Sequence, residues 1–199
     1  MEITDDHIAI GADFSRIFDS NDFLAMLNIP DEAMCVLRAH LILEEFLNLW
    51  SSKVTNTEDL YNGTFIPFKT KLVISRNLGM SDDIFMVADR INDVRNRFSH
   101  RKGHILEKST IDALRTKVDD LETNVPMLKC NDFKLFISGK DQYGNPAELT
   151  HTWGEADNRI RFLIVFLSFM LKFTHWITGE FVMRGIAYEI EAITVSVSD

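Results

Sequence analysis

EADNRIRFLIVFLSFMLKFTHWI, residues Glu155 to Ile177, is apolar on nearly every side of a predicted helix. A helix with apolar residues all round is buried on all its faces. The apolar run over 160–173 is interrupted by Arg161, Ser168 and Lys172, and it is shorter than the ~18 residues that a membrane span requires. We therefore expect this helix to be central to a folded core, and we expect no membrane association.

Other segments have apolar residues at the three- and four-residue spacing of amphipathic helices. Such helices are predicted near 31–51, 66–78, 82–101 and 108–122, and one or two more in the N-terminal piece to about Leu27. End signals accompany them. Pro30 suits a first helical turn, Gly79 a C-terminal cap, Ser81 an N-cap, and Ser109 or Thr110 the N-cap of the helix over 108–122.

Residues 127–152 have a different character from the helical segments. FKLFISGKDQYGNPAELTHTW combines a β-prone run with a cluster of Gly, Asn and Pro, which is typical of a turn. A short hairpin, at about 130–152, or a long ordered loop is predicted here. The tail YEIEAITVSVSD alternates in polarity, which favours a strand or an extended arm.

These patterns together predict the all-α class, as a single helical domain over 1–199. Its parts are expected to be an N-terminal arm at about 1–28, a bundle core at about 30–125 and 155–185, the hairpin or loop insert at about 127–152, and a C-terminal tail at about 186–199.

Composition narrows the class of function. The chain has 199 residues, 46% of them hydrophobic, and a formal net charge of -9. This acidity argues against non-specific binding of nucleic acid, which needs many Lys and Arg contacts to phosphate. Cys35 and Cys130 are isolated, so neither a disulfide framework nor a zinc site is expected. The start, MEITDDHIAI, is acidic where a signal peptide is cationic, and a cytoplasmic location is expected.

One stretch departs from the acidic composition. INDVRNRFSHRKGH, residues 91–104, has three arginines, a lysine and two histidines. On a helix, Arg97 can pair with Asp93 four residues before it, and Arg90 with Asp93 three residues after it. Arg95 and Arg101 have no acid on their own helix at these spacings. Their partners must therefore lie on another helix, another subunit or a ligand.

The spacing Arg95-Asn96-Arg97-Phe98-Ser99-His100 resembles the R-x4-6-H motif of the HEPN superfamily, in which Asn, Asp or His often follows the Arg. The motif of that superfamily also lies late in a core helix. HEPN domains are small helical bundles, and many are metal-independent endoribonucleases whose active site is assembled across a dimer. The resemblance implies an antiparallel helical bundle, a homodimer, an RNA substrate, no cofactor and no metal.

A second resemblance covers about two thirds of the chain. NGTFIPFKTKLVISRNLGMSDDIFMVADRINDVRNRFSH, together with the early LEEFL helix and the late apolar helix, is similar to the MltR-like family, named for the mannitol operon repressor. This resemblance implies a regulatory role. No helix-turn-helix reader of DNA is recognisable beside it.

The chemistry implied by the motif can be assigned to named residues. Cleaving RNA without a metal requires a base for the 2′-hydroxyl proton and a cation to stabilise charge developing on phosphate. His100 suits the first role, since imidazole titrates near neutral pH, and Arg95 suits the second. Asn96 would orient His100 or hold a phosphate oxygen. Further candidate contacts to the substrate are Arg97, Arg101 and Lys102.

Two glutamates on the helix near 31–51 are candidate supporting residues. Glu44 lies on the apolar stripe of Leu37 and Leu41, so it is expected to turn inward and pair with Arg95; Glu45 is its neighbour. His40, four residues before Glu44, is interpreted as a core histidine with a hydrogen-bond partner.

Three functions from different classes remain open. The first is a metal-independent endoribonuclease, a toxin or defence effector that a cognate antitoxin protein holds in check. The second is a catalytically silent regulator of the MltR type. The third is a structural interaction module in which Arg95 forms a core ion pair with Glu44 or Glu45. Solvent-open Arg95 and His100 within a cleft favour the first function, and burial of Arg95 against acids favours the third.

Overall fold

Six helices and two pairs of short strands make up the part of the chain that the structure, a computed structural model, describes: residues 8–10, 12–123, 125–140, 145–189 and 192–194. In chain order these elements are β1 (Ile8–Ile10), α1 (Ser20–Asn28), α2 (Glu32–Thr55), α3 (Phe68–Asn77), α4 (Asp82–His100), α5 (Lys108–Asp119), β2 (Lys134–Lys140), β3 (Pro146–Thr152), α6 (Asn158–Arg184) and β4 (Ala192–Thr194). The prediction of a mainly helical protein is confirmed.

Helix α6 is the most deeply buried element. The Asp157 side chain caps its first turn by accepting a hydrogen bond from the Ile160 amide at 2.8 Å, and Gly185 ends it in a left-handed conformation. Burying one large apolar side chain stabilises the folded state by roughly 1.5–3 kcal/mol, so α6 contributes a large share of the core. The side chains that it buries are those of Ile160, Phe162, Leu163, Ile164, Val165, Phe166, Ser168, Phe169, Met170, Lys172, Phe173, Ile177 and Phe181.

By length and composition alone, α6 could cross a membrane, with a mean hydropathy of 1.6 over its most apolar window. Within the protein, however, 67% of that window is buried. This burial is typical of a core helix and agrees with the interpretation of the sequence.

Helix α2 packs directly on α6 through aromatic rings. Phe46 stacks on Phe173 with ring centroids 4.5 Å apart, and Trp50 contacts Trp176 at 4.8 Å. The indole N–H of Trp50 donates to the Ser75 carbonyl of α3 at 3.1 Å. Because α2 also contacts α1 and α4, it joins most of the other helices to the central one.

The helix ends match the predicted signals in part. Ser81 is the N-cap of α4, as predicted, and accepts a hydrogen bond from the Ile84 amide at 3.2 Å. The prediction for Pro30 is wrong, since α2 begins at Glu32 after the N-cap Asp31. The prediction that Ser109 or Thr110 caps α5 is also wrong: the N-cap is Glu107, and α5 begins at Lys108.

The turn after α3 requires glycine. Gly79 has a φ of 97°, which favours glycine over other residues, and it follows the C-cap Leu78. A Cβ at this position would lie 2.5 Å from Nη2 of Arg184. The Nη1 atom of the same arginine donates a hydrogen bond to the Leu78 carbonyl at 3.1 Å. Gly79 therefore ends α3 and also allows α6 to approach it closely.

Two antiparallel strand pairs complete the fold. β2 and β3 pair from Lys134 opposite Thr152 to Lys140 opposite Pro146, which places the hairpin inside the predicted insert. β1 and β4 pair with Ala9 opposite Ile193, so a strand from the first ten residues lies beside one from the last ten. The predictions of a helix in the N-terminal arm and of a strand in the tail are confirmed by α1 and β4. Residues 1–7, 11, 190, 191 and 195–199 of these two parts lie outside the described ranges.

Both cysteines are buried thiols. Cys35 lies in α2, and Cys130 lies just before β2. Burial raises the pKa of each thiol to about 12. The interpretation of Cys35 as a small buried hydrophobe is confirmed.

Lys172 is a cation buried within the core. Its side chain is 4% exposed, and its ammonium group donates to three carbonyls at the end of α5: Val118 at 2.6 Å, Leu121 at 3.2 Å and Asp119 at 3.4 Å. Burial lowers the pKa of Lys172, and the Asp119 carboxylate opposes that shift. A helix leaves its last carbonyls without partners inside the helix, and Lys172 provides them for α5.

We expect Lys172→Met to lower the free energy of unfolding by about 1–3 kcal/mol, because the buried carbonyls at the end of α5 lose their donor. Chemical denaturation measures the loss. Lys134→Met is the matched control, since this lysine is exposed on β2 and its replacement should change stability by less than about 0.5 kcal/mol. Equal stability of the two variants would contradict the capping role.

Candidate functional site

The predicted motif lies at the C-terminal end of α4. The helix continues through His100, and Arg101 is its C-cap with extended backbone angles. Arg95 and Asn96 are partly buried, whereas His100 is exposed. The predicted end of this helix near Arg101 is therefore confirmed.

Arg95 has no acidic partner among the described residues. Its Nη1 donates to the side-chain oxygen of the adjacent Asn96 at 3.3 Å, and its buried Nε has no acceptor within that part of the chain. A buried donor without an acceptor is costly, by about 1–3 kcal/mol. The Nε atoms of Arg38 and Arg115 are in the same position, so what distinguishes Arg95 is its place in the motif.

The expectation that Glu44 pairs with Arg95 is wrong. Glu44 accepts a hydrogen bond from the ammonium group of Lys71 at 2.7 Å, and Lys71 also contacts Asn48 at 3.1 Å. Glu45 lies 3.9 Å from Arg16 at the protein surface. Lys71 is 9% exposed and Arg95 is only partly buried, so a missing counter-ion would destabilise the fold more at Lys71. Helix α3 places Lys71 beside Glu44.

The expected pair between Asp93 and Arg97 is also wrong. Asp93 lies 3.6 Å from Arg90, which is the second pairing that the sequence suggested. Arg97 instead donates to the hydroxyl of Thr110 on α5 at 3.3 Å. Because the side chain of Arg97 lies toward α5, its charge is not neutralised on α4.

The residues after α4 extend the positively charged surface. Arg101 and Lys102 are exposed and form no ion pair within the described ranges. His104 packs edge-on against Phe98 with ring centroids 4.8 Å apart. The end of α4 therefore has unpaired cations on a chain whose formal net charge is -9.

Sequence reasoning missed a buried polar contact next to Arg95. His40 is 5% exposed, lies against the Phe68 ring at 4.2 Å, and shares a hydrogen bond with the Asn92 side chain at 3.2 Å. The interpretation of His40 as a core histidine with a partner is confirmed. Asn92 lies one turn before Arg95 and Asn96 on α4. Its position between the buried residues Ile91 and Val94 is the feature of the sequence that could have indicated a buried polar contact.

Arg95 and His100 of one chain do not point the same way. Residues five apart are rotated by ~140° on an ideal helix, and α4 remains helical through His100. An unwound helix end would bring the two side chains together, but the end of α4 is not unwound. Within one chain, therefore, the two side chains lie on different sides of α4.

No group of three or more His, Cys, Asp or Glu side chains among the described residues is arranged to hold a metal ion. Arg95, Asn96 and His100 themselves offer a fixed cation, an amide and an imidazole. That set can bind phosphate and transfer a proton.

We expect stability to depend on pH through His40. Burial lowers the pKa of His40 below its ordinary value of 6.5, and the charge of Arg95 adds to this, while Asn92 and Glu44 oppose it. The unfolded chain then binds the proton more readily, so stability is full above about pH 6.5 and falls as the pH drops toward the folded-state pKa. Urea denaturation at several pH values should show a smaller loss for His40→Gln than for wild type. Equal losses would contradict a buried neutral His40.

Comparisons with protein-family models, with curated proteins and with solved structures find no match to this chain. The assignment of function therefore depends on the geometry of Arg95, Asn96 and His100 themselves.

Proposed function

We propose that the protein is a metal-independent endoribonuclease of the HEPN type that acts as a symmetric homodimer. The observation that carries this proposal is Arg95, which is partly buried and has no acidic partner in the described part of the chain, five residues before an exposed His100. A guanidinium without a counter-ion in a folded protein is suited to an anionic ligand.

In the proposed reaction, His100 of one subunit removes the proton from a ribose 2′-hydroxyl. The 2′-oxygen then attacks the adjacent phosphorus, and the bond from phosphorus to the 5′-oxygen breaks. The leaving oxygen takes up the proton that this His100 now holds, so the histidine returns to its neutral form. Arg95 stabilises the negative charge that develops on the phosphate oxygens, and Asn96 holds Arg95 in place.

The proposal includes a dimer because Arg95 and His100 of one chain lie on different sides of α4 and cannot contact the same phosphate. A two-fold axis near the end of α4 would bring Arg95 of one subunit toward His100 of the other. The cations at this end would repel each other without a ligand, so bound RNA phosphate would neutralise them. Arg97, Arg101 and Lys102 would hold the flanking phosphates, and a cognate protein that covers this surface would restrain the activity.

The competing structural function depends on an ion pair that is not formed. It requires Arg95 to be buried against Glu44 or Glu45, but these glutamates lie beside Lys71 and Arg16. A catalytically silent regulator of the MltR type remains an alternative, but no contact among the described residues favours it specifically. The geometry supports the nuclease best.

We expect His100→Ala to lower RNA cleavage by about 10²- to 10⁴-fold, because the reaction loses its general base. The measurement is cleavage of a labelled RNA in the presence of EDTA. Since His100 is exposed, its truncation should change stability by less than about 0.5 kcal/mol.

Ser99→Ala is the matched control for His100→Ala, because Ser99 is the adjacent exposed residue and takes no part in the proposed reaction. It should cleave like wild type. Cleavage that survives His100→Ala, or that EDTA abolishes, would sink the proposed mechanism.

Mixing two inactive variants tests whether the site is shared between subunits. Arg95→Ala and His100→Ala should each be inactive, but an equimolar mixture after subunit exchange should recover about a quarter of wild-type cleavage. The reason is that half the dimers are mixed and each mixed dimer has one intact site of two. Sedimentation of the mixture checks that dimers are present. A mixture as inactive as its components would rule out a site made from Arg95 of one chain and His100 of the other.

A further inference from the structure

We propose that the groove between α4 and α5 binds the backbone phosphates of single-stranded RNA. The choice of RNA rests on the proposed function, whereas the preference for phosphate follows from the groove itself. The groove has a volume of about 240 Å³, and its walls include Arg90, Arg97 and Lys117, with the hydroxyls of Ser109 and Thr110.

The groove has an excess of positive charge. Asp93 is the acidic residue in its lining, and this carboxylate lies 3.6 Å from Arg90. Once that pair is set aside, Arg97 and Lys117 remain without a counter-ion in the described part of the chain. Two unneutralised cations that line one groove favour the binding of an anion between them.

Arg97 is held at the groove by one weak contact. Its Nη1 donates to the Thr110 hydroxyl at 3.3 Å, which fixes the guanidinium against α5. A guanidinium has five N–H donors, so this contact leaves most of them for a ligand. Arginine binds phosphate in a two-pronged geometry, for which this placement is suitable.

Lys117 has no role in the proposed cleavage reaction. It is partly buried in the groove wall and has neither an ion pair nor a hydrogen bond with any described residue. Lys108, by contrast, begins α5 outside the lining. A lysine whose stem is partly buried keeps its ammonium group at the surface, where it is free to contact a phosphate.

The position of the groove relates it to the candidate active site. Arg97 lies between Arg95 and His100 on α4, on the side of the helix that faces α5. A single strand whose reacting phosphate lies at the end of α4 can therefore place a neighbouring phosphate against Arg97 and Lys117.

The test is binding rather than cleavage, so that its failure differs from failure of the nuclease. Full-length His100→Ala protein, with and without Lys117→Ala, is titrated into a fluorescein-labelled 20-nucleotide poly(U) strand at several salt concentrations. We expect Lys117→Ala to weaken binding about tenfold and to reduce the slope of log K against log salt by about 0.7, the value for one lost contact to a single strand.

The matched control is Lys134→Ala in the same His100→Ala protein. It removes one positive charge from an exposed position on β2, so it reports any effect of net charge alone. Its affinity and salt slope should stay within twofold of those of the His100→Ala parent. Melting temperatures of all the variants check that the fold is retained.

Equal effects of Lys117→Ala and Lys134→Ala, or no binding of poly(U) by the parent, would overturn the proposal. Tighter binding to a poly(dT) strand than to poly(U) would overturn the assignment to RNA. Binding that depends on Lys117 in a protein that never cleaves RNA would keep the groove and reject the nuclease. RNA cleavage by the wild type, together with poly(U) binding that does not depend on Lys117, would keep the nuclease and reject the groove.

Discussion

The packing of α2 on α6 is the contact on which the other elements depend. Phe46 and Phe173 stack, and Trp50 lies against Trp176, so two long helices are fixed along an aromatic seam. α2 then holds α1, α3 and α4 on its remaining sides, and α6 holds α5. The position of α4, and with it Arg95 and His100, is set by these contacts. Aromatic pairs contribute beyond their buried area, which makes this seam a stable reference for the candidate site.

Charge is distributed unevenly over α4. Asp82 and Asp83 lie in its first turn, and Arg97 and His100 in its last, which is the arrangement that the helix dipole favours. The dipole alone would not explain why these terminal cations form no ion pair with any residue that the structure describes. Glu44 on α2 forms its ion pair with Lys71 and not with Arg95. This difference between Lys71 and Arg95 supports the proposal that an anion binds at the end of α4.

The sequence predicted α6, the boundaries of α4 and the hairpin, because each has a local signal. All-round apolarity marks a buried helix, Ser81 marks a helix start, and a β-prone run before a turn cluster marks a hairpin. The partners of Glu44 and Arg97 could not be predicted in this way. Lys71 is on another helix, and Thr110 is on a third, so spacing rules within one helix do not apply to them. The buried contact between His40 and Asn92 was missed for the same reason, since it joins α2 to α4.

The two buried thiols have a practical consequence. A thiol whose pKa is about 12 is almost entirely protonated at neutral pH, and the protonated form reacts poorly with maleimides and with other thiols. Cys35 and Cys130 can therefore stay in place while a new cysteine is introduced at an exposed position such as Lys102. A probe attached there would report the separation of two α4 ends in a pair of subunits. The natural chain thus already provides a background that is silent to thiol labelling.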